Sequence, residues 1–395
     1  MSFKIKFISI LILLVFFACR EKLKVADDTG VSPEYPELIS GQELSLIVSD
    51  LKIYINENGE VYQPFRSFSL NGWPGQIFSS GLWMAGIQDG EIRVNAAGVT
   101  QSTISSNYHA VGNNTRGNVY YFTPSTLETM QSVWPQEAPK DNLNQYLVYG
   151  REMCWTNLSS SSTSEVGMYA QPFEGIKVSQ SLFSVSERNF EQVVFVKYNI
   201  KNESESDITE FYLGYYNDSD INFQSPNNDL AGYDSVWQVS YIYSRERDPQ
   251  FSQYFGCGTL ILQTPTQSGT EVQLTSNRYI SRDDSTEFGE FALTPHSVFY
   301  ALQGLDNNGI TMKNPVTGEE TKFALTGNPV IESGWNDVTR DARILISVGP
   351  FNLQRGKSAE FTVAIFIENG NTLESLINSI KLKASQIILN RQTWE

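Results

Sequence analysis

The chain has 395 residues, with 28 Lys and Arg against 44 Asp and Glu, so its formal net charge is −16 at pH 7. This acidic balance argues against nucleic acid and anionic lipid headgroups as partners, because both bind clustered Lys and Arg. The two histidines, His109 and His296, stand in no HExxH spacing, and no G-x-S-x-G motif is present. We therefore expect neither an imidazole-based zinc site nor a Ser-His-Asp triad.

The N-terminus has the parts of a lipoprotein signal. Lys4 and Lys6 precede an apolar run of about twelve residues, which is too short to span a bilayer. The run ends in Ala-Cys and turns charged at once, so we predict a signal peptide over residues 1–18 and lipidation of Cys19. Arg20 follows Cys19. Asp at this position would favour retention in the inner membrane, so its absence predicts an outer-membrane lipoprotein, on either face of that membrane. A conventional export signal followed by a chance cysteine is the alternative.

Residues 19–42 are predicted to form a flexible tether, because they are polar, contain two prolines and lack periodicity. Short strand-like runs then extend over residues 43–371. Asn58-Gly59 and Asp89-Gly90 each separate two such runs, and both dipeptides are typical of tight β-hairpin turns.

Apolar residues alternate with other residues in several of these runs. One example is the set Val194, Val196, Tyr198 and Ile200, and the same period of two recurs over residues 342–348 and 361–367. Such alternation indicates antiparallel strands with one buried face. Together with 12% aromatic and only 18% charged residues, it predicts an all-β, mainly antiparallel fold, a large β-sandwich-like domain.

Two segments bear on domain organisation. The serine-rich stretch at residues 157–164 is predicted to be a flexible loop or a seam between two subdomains. Residues 372–392 are predicted to form an amphipathic C-terminal helix, with Thr372 as its N-cap and apolar residues at helical spacing. We expect that helix to pack on the β domain; an exposed partner-binding helix is the alternative.

Three stretches resemble a family of poorly characterised exported surface proteins of the Bacteroidetes type, many of which carry C-terminal sorting domains for type IX secretion. The stretches are SGLWMAG (80–86) with EIRVNAA (91–97); GIKVSQ (175–180), VFVKYNIKN (194–202), YYNDSD (215–220) and DLAGYD (229–234); and TKFALTGNP (321–329), GW (334–335), DAR (341–343) and SVGPF (347–351). The resemblance implies an exported β-rich surface domain and brings no known activity. We expect a lipid anchor here in place of the sorting segment.

A cluster of oxygen-bearing side chains is the candidate metal site. The set is Asp218, Asp220, Asn222, Asp229 and Asp234, whose alternating carboxylates and amides are typical of a loop that wraps Ca²⁺. An EF-hand is excluded because its invariant glycine is missing. The alternative is that these side chains cap turns through hydrogen bonds to the backbone. The triplet at residues 341–343 is expected to be a structural ion pair.

Two tryptophans and two cysteines complete the candidate residues. Trp73 and Trp335 stand in turn-rich segments, where they could stack on sugar rings; packing in the core is the alternative. Cys154 and Cys257 are the cysteines that remain once Cys19 is lipidated. An export compartment permits a disulfide between them, and two buried free thiols are the alternative.

These observations favour a lipid-anchored envelope protein that binds a glycan or another surface protein without catalysis. Two other functions stay open. The first is a carbohydrate-active hydrolase that uses a pair of carboxylates, which the sequence cannot select among 44 acidic residues. The second is a structural or assembly component of the outer envelope. Ca²⁺ is the one cofactor that the sequence suggests.

Overall fold

The computed structural model describes residues 39–41, 43–48, 51–63, 77–98, 108–110, 119–126, 134–160, 171–187, 190, 192–221, 228–281, 288–289, 294–337 and 341–390. The chain divides into two units, 1–37 and 38–395, and all described residues belong to the second. The predicted signal peptide, Cys19, Trp73 and Asn222 lie outside the described residues. No helix within the described ranges has the length and apolar character needed to cross a membrane.

Twenty strands and two helices lie wholly within the described residues. In chain order the strands are β1 (Ile39–Gly41), β2 (Glu43–Val48), β3 (Leu51–Asn56), β4 (Val61–Tyr62), β5 (Ser79–Gln88), β6 (Glu91–Ala96), β7 (Tyr108–Ala110), β8 (Val119–Phe122), β9 (Glu152–Ser160), β10 (Ile176–Ser184), β11 (Val193–Asn202), β12 (Ile208–Asp218), β13 (Asp229–Asp234), β14 (Val239–Ser244), β15 (Tyr254–Gln263), β16 (Thr266–Gln267), β17 (Thr270–Glu271), β18 (Leu274–Ile280), β19 (Arg343–Leu353) and β20 (Ser358–Gly370). The helices are α1 (Pro295–Leu302) and α2 (Leu373–Leu389).

The strands form two large antiparallel sheets. Sheet A has the order β1-β8-β9-β10-β11-β20-β15-β14-β13, with β7 also paired to β9. Sheet B has the order β18-β19-β12-β5-β4-β3-β2, with β6 also paired to β5. Strands β16 and β17 form a separate small hairpin. The predicted all-β, antiparallel sandwich-like fold is therefore confirmed.

The main core lies between the two sheets. Sheet A contributes one face of β9, β10, β11, β15 and β20, including Val196, Val363 and Ile365, while sheet B contributes one face of β2, β3, β5, β12 and β19, including Leu213 and Ile346. Stacked sheets pack about 10 Å apart, so their side chains interdigitate and exclude water. This packing buries the apolar faces that the alternating sequence pattern predicts.

Each sheet is also covered on its outer face. Helix α2 packs Leu376, Ile377 and Ile380 against sheet A, beside aromatic side chains such as Phe366. Helix α1 packs on sheet B in the same way, against Trp83 and other residues. The central strands are therefore buried on both faces, whereas the sequence pattern predicts one solvated face. Four layers result, in the order helix, sheet, sheet, helix.

The predicted C-terminal helix is confirmed, with its end at Leu389 rather than residue 392. Thr372 is its N-cap: its side chain accepts a hydrogen bond from the backbone N–H of Ser375 at 3.0 Å. The Ser375 hydroxyl accepts in return from the N–H of Thr372, also at 3.0 Å. This reciprocal capping satisfies two backbone donors that the first turn would otherwise leave without partners.

Both predicted hairpin turns are confirmed. Strands β3 and β4 flank residues 57–60, and β5 and β6 flank Asp89-Gly90. Asp89 and Gly90 have φ of 55° and 82°. A two-residue turn with both φ positive matches the twist of the flanking strands, which explains why an Asp-Gly dipeptide occupies it.

Three predictions about organisation are wrong. Cys154 and Cys257 are free and buried, because β9 and β15 stand four strands apart in sheet A, about 19 Å at the usual spacing of strands. A disulfide needs Cα atoms within about 7 Å.

Residues 157–160 of the serine-rich stretch are not a loop or seam but part of β9, paired on both sides; residues 161–164 lie outside the described residues. Strand β1 begins inside the predicted tether.

Candidate functional site

Four aspartates meet at the rim between the two sheets, and we call them the acidic cluster. Asp218 ends β12, Asp220 follows it by two residues, Asp341 precedes β19, and Asp229 begins β13. Carboxylate oxygens of Asp218, Asp220 and Asp341 lie within 4.8 Å of one another. Strands β12 and β19 are neighbours in sheet B, whereas β13 is the edge strand of sheet A. The acidic cluster therefore joins the two sheets.

Arg343 balances part of this charge. Its Nε donates to Oδ2 of Asp218 at 3.0 Å, and its Nη2 lies 3.3 Å from Oδ1 of Asp341. Nη1 also donates to the backbone carbonyl of Asp341 at 3.1 Å. Asp341 has φ of 51°, a left-handed conformation that Asp adopts more readily than most residues. The ion pair predicted for residues 341–343 is thus confirmed.

Asp229 has the least favourable environment of the four. It is 1% exposed, and its Oδ2 accepts a hydrogen bond from the N–H of Ala342 at 3.2 Å. Its Oδ1 is buried without a hydrogen-bond partner among the described residues. Burial raises the pKa of Asp229 well above its usual value, and the negative charges of Asp218, Asp220 and Asp341 raise it further.

A polar network continues from the acidic cluster into the space between the sheets. Asn217, on β12, donates through Nδ2 to Thr259 Oγ1 at 3.0 Å and to Cys257 Sγ at 3.4 Å, both on β15 of sheet A. Ser219 donates to Asn217 Oδ1 at 2.8 Å. These bonds satisfy side chains that would otherwise be costly to bury. The network fixes β12 against sheet A beside the aspartates.

The predicted metal ligands separate into two groups. Asp218 and Asp220 come together, and Asp229 lies beside them but outside the group whose oxygens are within 4.8 Å of one another. Asp234 does not: it lies at the other end of β13, about 17 Å from Asp229 at the usual rise of a strand. Asp341 was not among the predicted ligands, because it stands 121 positions after Asp220 in the sequence. The pairing of β12 with β19 is what brings the two residues close. Only the strand order could have identified it.

A second feature is an open polar groove at the Asp234 end of β13. Its volume is about 310 Å³, and it is lined by Tyr233, Asp234, Ser235, Thr326, Gly327, Asn328, Ser333, Gly334 and Lys381. Three parts of the chain supply these residues: the end of β13, the loop over residues 326–334, and helix α2. The loop belongs to the TKFALTGNP and GW stretches that carry the family resemblance.

Side-chain contacts fix the shape of the groove. Lys381 Nζ lies 2.8 Å from Asp234 Oδ2, and Oδ1 of Asp234 accepts hydrogen bonds from the N–H groups of Val236 and Trp237. Burial by itself would raise the pKa of Asp234, but the hydrogen bond from Lys381 and those from the backbone outweigh burial and lower it. Asp234 is therefore a carboxylate with a paired positive charge.

The loop of the groove is held by its own backbone. Asn328 and Ser333 exchange hydrogen bonds at 2.7 and 3.2 Å, and Gly327 donates to the carbonyl of Trp335 at 2.8 Å. A Cβ on Gly327 would lie 2.7 Å from the backbone carbonyl oxygen of Ser333, so only glycine fits at this close approach. Asn328, Ser333 and Thr326 remain exposed to solvent.

Trp335 is a core residue and not a sugar-stacking platform. It is 9% exposed and packs edge-on against Tyr279, with ring centroids 6.4 Å apart. Its indole belongs to the core between the sheets. The interpretation of Trp335 as a ligand contact is therefore wrong, and its role at the groove is limited to the backbone carbonyl that holds Gly327.

No protein-family model and no curated protein matches this chain. Among solved structures, a polysaccharide lyase is similar over 88% of this chain and 35% of its own, at 9% identity and a TM-score of 0.35. A putative kojibiose phosphorylase from the human microbiome is similar over 91% of this chain and 33% of its own, at 6% identity and a TM-score of 0.32. The chain spans about one third of each. TM-scores this low identify neither a shared function nor a shared ligand.

The acidic cluster predicts unequal roles for two arginines. We expect Arg343→Met to lower the free energy of unfolding by about 3–5 kcal/mol, because it leaves buried carboxylates without their counter-charge. Arg355 also pairs with an acid, Glu205 at 2.6 Å, but their side chains are 58% and 85% exposed. Arg355→Met should therefore change the free energy by less than about 1 kcal/mol. Urea unfolding measures both, and similar small losses would contradict this assignment.

Proposed function

We propose that this protein is a lipid-anchored module of the cell envelope that binds a neutral glycan in its open polar groove and does not cleave it. The observation that carries the proposal is the convergence of exposed hydroxyl, amide and paired charged groups from three separate parts of the chain in one groove. Loops held on a rigid scaffold are where binding residues concentrate.

The chemistry of the lining suits a sugar. Thr326 and Ser333 can each donate and accept a hydrogen bond, and the amide of Asn328 offers both functions side by side. Asp234 accepts and Lys381 donates, so neighbouring hydroxyl groups of one sugar ring would find both kinds of partner. An apolar ligand would leave these groups without partners, which is costly.

Electrostatics favour a neutral glycan over an acidic one. The charges of Asp234 and Lys381 cancel within the groove. The whole chain carries −16, so a uronate-rich or sulfated polysaccharide would be repelled at long range.

The size of the groove argues against a protein partner at this place. A stable protein interface covers about 800 Å² on each side and has an apolar centre. The groove is small, concave and polar, which fits a few sugar units.

Hydrolysis by the acidic cluster is disfavoured by access. Asp218 and Asp229 are each 1% exposed, so a polysaccharide cannot reach them. The groove itself is lined by a single carboxylate, Asp234, which is held by Lys381. A glycosidase needs two carboxyl groups on opposite sides of the scissile bond.

The envelope location rests on the N-terminal sequence. A short apolar signal that ends in Ala-Cys supports acylation of Cys19, and each buried methylene of the acyl chains adds about 0.8 kcal/mol of membrane affinity. The resemblance to exported surface proteins supports the same location.

Groove binding is tested by affinity electrophoresis of the full-length protein in detergent. We expect xylan, mannan or mixed-linkage glucan to retard it, and polygalacturonate and alginate to have no effect. Lys381→Gln should weaken the interaction about tenfold, as expected for loss of one charged hydrogen bond. The matched control is Lys383→Gln, two residues along α2, which pairs with Glu368 outside the groove. The affinity of Lys383→Gln for the polysaccharide should stay within about twofold of that of the wild type.

Three outcomes contradict glycan binding at the groove. They are failure of every neutral polysaccharide to retard the protein, unchanged binding by Lys381→Gln, and equal weakening by Lys383→Gln. Release of reducing ends during the assay would instead identify a hydrolase. Capture of an envelope protein with no glycan response would favour the assembly function.

Lipidation is tested by labelling cells that express the full-length protein with radioactive palmitate. The wild type and Cys154→Ser should incorporate the label, because Cys154 is buried in β9. Cys19→Ser should not, and globomycin should cause the unprocessed wild-type precursor to accumulate. Label in Cys19→Ser, or an unmodified thiol at the mature N-terminus in mass spectrometry, would refute the anchor.

A further inference from the structure

Two exposed apolar residues stand beside the polar groove. Val236 directly follows Ser235, and Ile331 lies in the turn between Asn328 and Ser333; these three neighbours all line the groove. Val236 is 76% exposed and Ile331 is 69% exposed. We call Val236 and Ile331 the lips of the groove, because they belong to two of the three parts of the chain that form it.

The lips are unusual residues for their positions. Both stand in tight turns, where Gly, Asn, Asp, Ser and Pro are preferred, whereas β-branched residues favour strands. Neither side chain is buried enough to gain stability from its apolar surface. A single exposed apolar residue needs no explanation. Two of them beside one polar groove, each against the local preference, indicate a contact with the ligand.

Both lips are held in place by the turns that carry them. Oδ1 of Asp234 accepts a hydrogen bond from the N–H of Val236 at 3.1 Å. In the other turn, Oδ1 of Asn328 accepts from the N–H of Val330 at 2.9 Å, and Val330 packs into the apolar layer under helix α2, directly before Ile331. Val and Ile side chains are also stiff at χ1. Little conformational freedom is therefore lost when a ligand contacts the lips.

This arrangement is the reverse of a protein interface, which has an apolar centre and a polar rim. Here the centre is polar, with Asp234 and Lys381 among its groups, and the apolar side chains stand at the margin. A pyranose ring is complementary to it, because its hydroxyl groups lie around the edge and its C–H groups form the two faces. A ring that enters the groove edge-first places its hydroxyls on the polar lining and its faces against the lips.

We propose that the lips contact the two faces of a sugar ring and select pyranose units whose hydroxyl groups are all equatorial, as in β-linked chains of glucose or xylose. This selection rests on the glycan binding proposed for the groove. An axial hydroxyl projects from a ring face, so it would be pressed against Val236 or Ile331 and would lose water without gaining a hydrogen bond. Mannose carries an axial hydroxyl on its second carbon, and galactose on its fourth.

The test is isothermal titration of the full-length protein in detergent with cellotetraose, xylotetraose and mannotetraose. All three are β-linked chains of equal length, and cellotetraose and mannotetraose differ only in the configuration of the second carbon of each unit. We expect cellotetraose and xylotetraose to bind at least about fivefold more tightly than mannotetraose, because a hydroxyl that is desolvated without a partner costs at least that factor.

Variants of the lips test where the selection arises. Val236→Ser and Ile331→Ser should each weaken the binding of cellotetraose about fivefold, because each removes an apolar contact. Each should also reduce the preference for cellotetraose over mannotetraose, since a serine hydroxyl can pair with an axial hydroxyl. A residue that only supported the fold would not change this ratio. Thermal melts of both variants should lie within about 2 °C of the wild type, because the substituted side chains are exposed.

The matched control is Val316→Ser. Val316 is 63% exposed, and its N–H donates to Oδ1 of Asn314 at 2.9 Å, so its turn is held by an Asx side chain as at Val236. That turn contributes nothing to the lining of the groove. The affinities of Val316→Ser for all three tetrasaccharides should stay within about twofold of those of the wild type.

Selection by the lips is overturned if mannotetraose binds as tightly as cellotetraose, if both lip variants keep the wild-type preference, or if Val316→Ser reduces that preference equally. Lys381→Gln separates the lips from the groove: weaker binding of cellotetraose by this variant alone would leave glycan binding intact and remove the role of the lips. If none of the tetrasaccharides binds, the selection is refuted, and electrophoresis in the polysaccharides decides separately whether the groove binds a glycan.

Discussion

Charge balance at the rim between the two sheets is the constraint on which the rest of the structure depends. The interior between the sheets is apolar and excludes water, so an ionised group at its rim must be paired or lose its charge. Arg343 pairs there with Asp218 and Asp341, and Asp220 and Asp229 lie beside them. The N–H of Ala342 donates to Asp229 on the edge strand of sheet A, so the segment that carries this ion pair also links the two sheets.

Strand β13 links the acidic cluster to the groove. It begins at Asp229, in the cluster, and ends at Asp234, in the groove. Its outer edge is covered by the segment that precedes β19: the N–H of Ala231 donates to Asp337 at 2.8 Å, and that of Tyr233 donates to the carbonyl of Leu325 at 3.0 Å. Covering an edge strand in this way protects it from pairing with other chains. The groove loop is thus built on a strand whose far end is fixed at the acidic cluster.

Local patterns predicted the elements but not how they meet. The Asp89-Gly90 turn and the Thr372 cap were predictable because each depends on neighbours in sequence. Burial of Phe195 and Leu345 on the outer faces was not, because it depends on which helix covers each sheet. The prediction of a Cys154–Cys257 disulfide was wrong for a related reason, since β10, β11 and β20 stand between the strands that carry the two cysteines. Helix α1 does have a local sequence signal, Thr294 followed by a proline at the first helical position.

The most direct test of the charge-balance account is a double-mutant cycle of Asp218→Asn and Arg343→Met, with each variant unfolded in urea. The account predicts that the double variant loses at least about 1 kcal/mol less free energy of unfolding than the sum of the two single losses, because each single variant leaves one buried charge without its partner. Losses that simply add in the double variant would contradict it.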